Sequence, residues 1–595
     1  MPNALLVYPD FPPSYWSEKY ALDFIGKKSA MPPLGLLTLA SLFPKHYNLK
    51  LVDMNYTSLT DEMLSWSDYV FCSAMIVQRD SFKEVVARCN AMGVPIIAGG
   101  PYPTSFCDEI SGVDHLVLGE VEDFFADFLK DLEANTAAKI YRPPIGENGE
   151  PRRPSVEHIA PPRYDLLNLN DYASVSLQFS RGCPFNCEFC DITKLYGRVS
   201  RTKTIQQVIK ELDALYESGW RGTVFFVDDN FIGNREQANR LMPQIAAWQK
   251  KRNYPFAFYT EASVNLSEMP DLMTDMADAG FDMVFLGLET PNPDALKQAN
   301  KGHNIRHGNP NYLLDAVRTI QSYGMEVTGG FILGLDGDDE SSFDAQINFI
   351  QKAGIPTAMV GLLNALKGTD LYQRLKREGR LLSESSGNNV CSALNFIPRI
   401  NPEMLLDGYR RVLSTLYDSS LRNYFARCYT LLKNWKQRKY CTRPIGMVEI
   451  TAYLKTLWRQ LFSRQGPAYL KFQLKVLLRR PRMFSEAIRL AVLGYHYEKV
   501  TRQQILVDEF KNFLDLQMGI FRERISYYEK MGSAHITELS SYFMEHFKDI
   551  RKRYEAINKD FRSTADDALL AFKASLNVQL QRFNQVCKLE VPEIF

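Results

Sequence analysis

Long apolar runs are missing from this 595-residue chain. A helix that spans a bilayer needs about 18 or more consecutive apolar residues, so a helical membrane-spanning protein is excluded. Excess charge is missing too: 70 Lys and Arg stand against 69 Asp and Glu, a formal balance of +1. That balance argues against a dedicated nucleic-acid binder, although it can hide local imbalance. Cysteine is sparse, ten in all. Seven of them (Cys72, Cys89, Cys107, Cys391, Cys428, Cys441 and Cys587) are scattered, which is not a disulfide framework and suits a reducing compartment. The amino terminus shows no basic leader, since Met1-Pro2-Asn3 runs straight into the strand-like Ala4-Leu5-Leu6-Val7-Tyr8. The expectation is a cytoplasmic protein that meets the inner membrane surface at most peripherally. With 45% hydrophobic and 23% charged residues the composition is globular, and the length predicts two to four domains.

From the start, short β-rich runs alternate with helical patterns: Leu5–Tyr8, Leu49–Asp53, Tyr69–Ser73, Pro95–Ala98 and His115–Leu118, with helices between. That rhythm predicts a doubly wound, Rossmann-like α/β domain over residues 1–140, a parallel sheet with helices on both faces. Ligands of such sheets sit outside the carboxyl ends of the strands. The residues there are Pro9-Asp10, Asp53-Met54-Asn55, Ser73-Ala74-Met75-Ile76, Gly99-Gly100-Pro101 and Gly119-Glu120. Glycine pairs let backbone approach a ligand closely, and they equally serve a tight strand-to-helix turn. Residues 141–170 are dense in proline and charge (Arg142-Pro143-Pro144, Pro151-Arg152-Arg153-Pro154, Pro161-Pro162), which predicts an extended linker.

A second β/α series follows over residues 171–400. It opens with Ala173–Phe179 and counts six repeats, which suits a partial (β/α)6 barrel with its chemistry at the carboxyl ends of the strands. Polar residues gather there: Asp228-Asp229-Asn230, Glu261, Gly287 with Glu289, and Gly334 with Asp336. At the end of the first strand stands Arg181-Gly182-Cys183-Pro184-Phe185-Asn186-Cys187-Glu188-Phe189-Cys190. Structural zinc sites and ordinary iron–sulfur clusters want four ligands. Here three thiols are spaced Cys-x3-Cys-x2-Cys and no fourth cysteine is near in sequence, so a cubane held by Cys183, Cys187 and Cys190 keeps one iron open for a substrate.

This spacing, placed after the first strand of a β/α series, resembles the signature of the radical S-adenosylmethionine (SAM) enzymes. The resemblance implies a [4Fe-4S] cluster on the three cysteines whose open iron is chelated by SAM, with cleavage of SAM giving a radical that abstracts hydrogen from unactivated carbon. It implies Phe189 beside the adenine, Asp228 and Asp229 near the SAM amino group, and Gly287 with Glu289 near its ribose or methionine portion. His303 and His307, in a loop after Lys301-Gly302, read as solvated. The first 140 residues resemble a cobalamin-binding domain through Ser73 with its loop and Gly99-Gly100. That implies a cofactor lined by Ser73, Met75, Gly99, Gly100 and Glu120. The histidine-ligand signature of that family is absent, because Asp114-His115 has the wrong spacing.

Phe11-Pro12-Pro13-Ser14-Tyr15-Trp16, Met31-Pro32-Pro33-Leu34-Gly35-Leu36-Leu37 and Leu362–Tyr372 resemble the branch that contains the hopanoid methylases and the bacteriochlorophyllide methylases, over roughly residues 1–430. Lys367 stands where that branch has proline. The resemblance implies a cobalamin-dependent radical SAM methyltransferase acting on a large apolar molecule, a polycyclic lipid or a tetrapyrrole, with an electron donor such as flavodoxin or ferredoxin. A radical SAM cyclase or oxidoreductase using the same cofactors is the alternative. From residue 401 to 595 the pattern is helical only. Between Trp435 and Arg502 fifteen Lys or Arg face three Glu, a difference of +12, interleaved with bulky apolar residues. Such a segment suits an anionic membrane surface or a solvated face packed on the barrel.

Overall fold

The computed structural model describes residues 1–147, 149–388, 392–436, 446–531 and 536–587. Six parallel strands form the first sheet: β1 (Asn3–Tyr8), β2 (Asn48–Asp53), β3 (Tyr69–Ser73), β4 (Ile96–Gly99), β5 (His115–Val117) and β6 (Ile140–Tyr141). These strands are apolar nearly throughout because both faces are covered. Leu5, Val7, Val70, Cys72, Ile96 and Ala98 pack in one core, and Ala4, Leu6, Phe71, Ile97 and Val117 in the other. The doubly wound expectation is met, and the strand order β2-β1-β3-β4-β5-β6 is the flavodoxin-like one rather than the 3-2-1-4-5-6 of dinucleotide-binding domains. The order reverses between β1 and β3. The ligand crevice of such a sheet therefore lies over Tyr8-Pro9-Asp10 and Ser73-Ala74-Met75.

The second sheet orders β14-β13-β12-β11-β10-β7, all parallel: β7 (Ser174–Leu177), β10 (Gly222–Phe226), β11 (Phe256–Ala262), β12 (Phe281–Glu289), β13 (Glu326–Leu333) and β14 (Ala358–Leu362). Sequential neighbours and open ends make it the expected six-stranded part-barrel. A ribbon of β8 (Ser180–Arg181) and β9 (Arg201–Thr202), paired antiparallel, brackets the cysteine stretch. Alternation along the strands sorts the faces. Phe258, Thr260, Val284 and Leu286 are fully buried, whereas Tyr259, Glu261, Phe285 and Gly287 are half-buried on the opposite side. Two amino-terminal motifs reach that half-buried side. Trp16 packs on Phe285 at 5.1 Å between ring centroids, and Tyr259 Oη lies 3.5 Å from Met31 Sδ.

Residues 141–170 are extended, as their prolines demand, but packed. Val156 and Ile159 are buried and their carbonyls accept from Gln207 Nε2 at 3.1 and 3.2 Å. Tyr164 Oη donates to the Ser176 carbonyl at 2.7 Å. The chain separates into two compact units, Met1–Tyr497 and Glu498–Phe595. The helices between Pro402 and Tyr497 thus belong with the sheets rather than with the terminal region. Tyr417 Oη donates to the Ala358 carbonyl on β14 at 2.9 Å, and Arg489 pairs with the buried Glu326 on β13. The second unit is helical over its described residues, with Val507, Phe510, Leu514, Phe521, Phe572 and Leu576 buried.

Candidate functional site

Gly182 is the one position in the cysteine stretch where only glycine fits. Its φ is +94°, and a Cβ there would lie 2.7, 2.9 and 3.1 Å from the carbonyl oxygens of Val199, Gly197 and Tyr196, against both the left-handed backbone and the close approach. Those carbonyls belong to the return path toward β9, so the loop is folded tightly onto its own exit. Cys183 N donates to the Gly197 carbonyl at 3.1 Å, and Cys190 N to that of Cys187 at 3.1 Å. Glu188 holds Arg374, which also binds Asp336 at 2.7 Å, and Asp336 in turn binds Arg380 at 2.7 Å.

The paired aspartates at the end of β10 fix the loop's entry. Asp228, buried, accepts from the backbone N–H groups of Phe179 at 3.1 Å and of Ser180. Asp229 accepts from Gly182 N at 2.8 Å. Burial pushes Asp228 up to about 7 and Asp229 up to about 6, against the lowering effect of those N–H donors. Glu261, on the neighbouring strand, is pushed up to about 8 by burial and by the two aspartates. Asn230 Nδ2 lies 3.8 Å from Cys183 Sγ. Burial raises all three cysteine thiols above their ordinary range, and Lys301 works in the opposite direction on each. Among the described residues no group of three or more His, Cys, Asp or Glu side chains is gathered to hold a single metal ion. Three thiols carried on one short loop are the donor chemistry of an iron–sulfur cluster.

Lys301 was not singled out by the sequence, and it is central here. It is buried, its Nζ pairs with Glu289, and it lies 5.6 Å from the Phe189 ring centroid. Glu289 itself has φ +61°, a left-handed conformation that a non-glycine residue rarely adopts, beside a register shift in the β12–β13 pairing. Gly287 makes room for the pair: a Cβ there would lie 2.6 Å from both Glu289 Oε1 and Lys301 Nζ. The signal available in sequence was a lysine twelve positions after Glu289 with no acidic neighbour closer than Asp294. Phe189 lines a small cleft with Glu188, Ala299, Asp336, Leu363 and Arg374. His303 is not the solvated histidine its loop suggested. It stacks on Phe185 at 3.8 Å between centroids, and burial, helped by Lys301 and Arg306, holds it down to about 3.

In the first sheet, Ser73 and Gly100 meet each other. A Cβ on Gly100, whose φ is +89°, would fall on Ser73 Oγ and the Ala74 backbone, and one on Gly99 would lie 2.8 Å from the Val117 carbonyl. The glycine pair is thus required by strand-end packing whether or not a ligand approaches. Met75 stands 39% exposed at the β1/β3 reversal, open to a ligand in that crevice. Glu120 is placed otherwise than expected. Both its oxygens are taken by barrel guanidinium groups, Arg181 at 2.8 Å and Arg201 at 2.7 Å, and Glu122 binds Arg181 at 2.6 Å. It joins the first sheet to the β8–β9 ribbon that brackets the cysteine stretch. His115 Nδ1 lies 2.7 Å from the Ala138 carbonyl, remote from the carboxyl ends of the strands.

The model of the radical SAM superfamily matches residues 177–350, and a domain of unknown function matches residues 369–507. An uncharacterized methyltransferase of Synechocystis is 40% identical over 525 residues, 87% of this chain and 95% of that protein. The hopanoid C-2 methylase of Rhodopseudomonas palustris is 37% identical over 385 residues, 64% of this chain and 71% of the relative. A bacteriochlorophyllide d C-12(1)-methyltransferase of Chlorobaculum tepidum is 25% identical over 352 residues, 58% of this chain and 74% of that one. Among solved structures, the cobalamin-dependent SAM radical enzyme OxsB with aqua-cobalamin and SAM bound superposes with a TM-score of 0.54 at 15% identity, covering 92% of this chain and 84% of its own. With its three-cysteine loop at the mouth of a six-stranded part-barrel and a flavodoxin-like sheet tied through Glu120 to the ribbon that brackets that loop, the chain belongs to the radical SAM methylases, in the branch that includes the hopanoid C-2 methylase.

Proposed function

We infer that the protein is a cobalamin-dependent radical SAM C-methyltransferase acting on an unactivated carbon of a large apolar molecule, a polycyclic lipid or a tetrapyrrole. The observation that carries this reading is the loop of Cys183, Cys187 and Cys190, tied at its entry to the buried Asp228 and the half-buried Asp229, with the half-buried Glu261 on the neighbouring strand. Those residues fit a [4Fe-4S] cluster with SAM, and the crevice beside Ser73 and Met75 fits cobalamin. Bound there, these groups supply the one-electron chemistry that removes hydrogen from unactivated carbon and the methyl group that replaces it.

The chain's own residues divide the remaining work. Burial raises the three carboxyls at adjacent strand ends, and repulsion from Asp229 raises Asp228 and Glu261 further. An ammonium group brought among them relieves both penalties, which suits the SAM amino group. The Lys301–Glu289 pair offers one cation and one anion beside Phe189, suited to a carboxylate and to ribose hydroxyls, while Phe189 offers a ring face to the adenine. Aromatic Trp16, Phe285, Tyr259 and Phe225 give the half-buried side of the barrel an apolar lining, with Phe225 and Tyr259 stacked at 4.3 Å. The methylase names of the relatives favour methyl transfer over radical cyclisation. The same reading includes a one-electron donor such as flavodoxin or ferredoxin, and contact of residues 435–502 with a membrane surface.

The test is anaerobic reconstitution with iron, sulfide and cobalamin, followed by incubation with SAM, a reductant and hopanoid or tetrapyrrole extracts. Methyl transfer gives S-adenosylhomocysteine and 5'-deoxyadenosine together and a product heavier by one methylene. 5'-Deoxyadenosine alone would replace the reading with cyclisation or oxidation. A Cys187→Ala chain that still bound a full cluster and cleaved SAM would remove the site assignment.

A further inference from the structure

The helix Met447–Leu461 is amphipathic in reverse. Its buried positions are Ala452, Thr456 and Gln460, small or polar and spaced by four. Its large apolar side chains face outward, with Leu454 59%, Trp458 77% and the following Phe462 80% exposed. Polar keys hold it in that orientation. Thr456 Oγ1 and Tyr469 Oη lie 2.9 Å apart, and Gln460 Nε2 donates to the Ala491 carbonyl at 2.9 Å. The next helix, Gly466–Arg479, buries Tyr469, Phe472 and Val476 and turns Leu470, Leu474, Leu477 and Leu478 to the outside, the last 81% exposed. An isolated exposed leucine needs no explanation, but two consecutive helices with exposed apolar stripes do.

The charge around these stripes is of one sign. From Met447 to Arg482 the sequence holds eight Lys or Arg and one acidic residue, Glu449. Arg459 pairs with Asp23, and Lys455 donates to the Asp23 carbonyl. Arg464, Lys471, Arg479 and Arg482 are exposed and have no ion-pair partner among the described residues. Residues 437–445 of the basic segment lie outside the described residues. Among the described helices none is long and apolar enough to cross a membrane. Aromatic and leucine side chains flanked by unpaired cations form the signature of a helix lying in the plane of a membrane interface. A second copy of the chain is a poorer occupant, because a symmetric contact sets the same cations against each other.

We propose that the outward faces of Met447–Leu461 and Gly466–Arg479 form one interfacial anchor for an anionic lipid bilayer, with Trp458 and Phe462 inserted and Arg464, Lys471 and Arg479 at headgroup level. This gives the domain of unknown function at residues 369–507 a role. The purpose of the anchor, access to a membrane-resident substrate, rests on the methylase reading, while its geometry does not.

The test mixes the full reconstituted chain with vesicles of phosphatidylcholine alone or with phosphatidylglycerol added, at low and high salt. Binding is expected only to the anionic vesicles, weaker at high salt, and reduced at least tenfold in the double variant Trp458→Ser, Phe462→Ser. Both residues are exposed, so the unfolding midpoint of that variant should match the wild type. Quenching of tryptophan fluorescence by brominated acyl chains is expected in the wild type and lost in Trp458→Phe, which should still bind. The proposal is overturned if the wild type ignores anionic vesicles, if the double variant binds as well, or if the wild type forms a dimer that the double variant dissolves. Methylation is assayed in parallel with detergent-solubilised substrate. Turnover there without vesicle binding removes the anchor alone, and vesicle binding without S-adenosylhomocysteine removes the methylase reading alone.

Discussion

Replacing Glu120 by Gln tests whether the joint between the first sheet and the β8–β9 ribbon is structural. The Glu120 carboxylate accepts from Arg181 Nη1 at 2.8 Å, from Arg201 Nη1 at 3.1 Å and from Arg201 Nη2 at 2.7 Å. The three side chains are 5, 11 and 17% exposed. An exposed ion pair contributes about 0–1 kcal/mol, whereas removing one partner of a buried pair costs about 3–5 kcal/mol, because the other charge stays behind. Arg181 keeps Glu122 at 2.6 Å and Gln178 at 2.8 Å. Arg201 keeps only the carbonyls of Pro154 at 2.6 Å and Tyr196 at 3.1 Å, which sets the expectation near the lower end of that range, about 3 kcal/mol, or roughly a hundredfold in the unfolding equilibrium. Urea unfolding of wild type, Glu120→Gln, Arg201→Met and the double variant measures both the loss and the coupling between the two residues. Iron retention follows the same series, since Arg181 directly precedes Gly182 and Cys183. A Glu120→Gln loss below about 1 kcal/mol, the level of a surface pair, with no coupling to Arg201, would refute a buried joint and return Glu120 to the list of free ligands.

Lys301→Met leaves the buried Glu289 carboxylate unpaired. It is expected to weaken SAM binding at least tenfold by equilibrium dialysis, with Lys301→Arg recovering part of the loss. Gly182→Ala forces a side chain into a φ of +94° against three carbonyl oxygens and should lower iron per chain after reconstitution, whereas Gly26→Ala, strained but with nothing within 4 Å, should not. His496 is fully buried and held down to about 4 by burial. Its unfolded form takes up a proton near 6.5, so the stability it confers is complete above that pH and is lost between about 6.5 and 4, by about 3 kcal/mol. The wild-type minus His496→Gln difference in urea midpoint should follow that window. Lys367 spans to Asp108 at 2.8 Å and Glu109 at 3.1 Å. With Asp108 67% exposed, Lys367→Ala should cost less than about 1 kcal/mol.

What the sequence made legible was whatever is local or periodic. The spacing of Cys183, Cys187 and Cys190 is local. The strand rhythm is periodic, and because parallel strands bring their carboxyl ends to one side, Asp229, Glu261 and Glu289 could be grouped before any pairing was known. Contacts that depend on register and on how connections fold back were out of reach. Glu120 meets Arg201 across 81 positions, and Lys301 reaches Glu289 only because the helix Pro293–Gln298 returns the chain over β12. Strand order was equally hidden, since alternation of β and α fits either doubly wound order. The helix Met447–Leu461 marks the limit most clearly. Periodicity divides a helix into two faces but does not say which one meets solvent. The ordinary assumption buries the apolar face. Here the polar face is the buried one, because Thr456 and Gln460 find partners in Tyr469 and Ala491, 13 and 31 positions further on. The sequence therefore left two readings of this segment, a membrane-facing one and a solvated face packed on the barrel, and the placement of those two hydrogen bonds turns Leu454 and Trp458 outward.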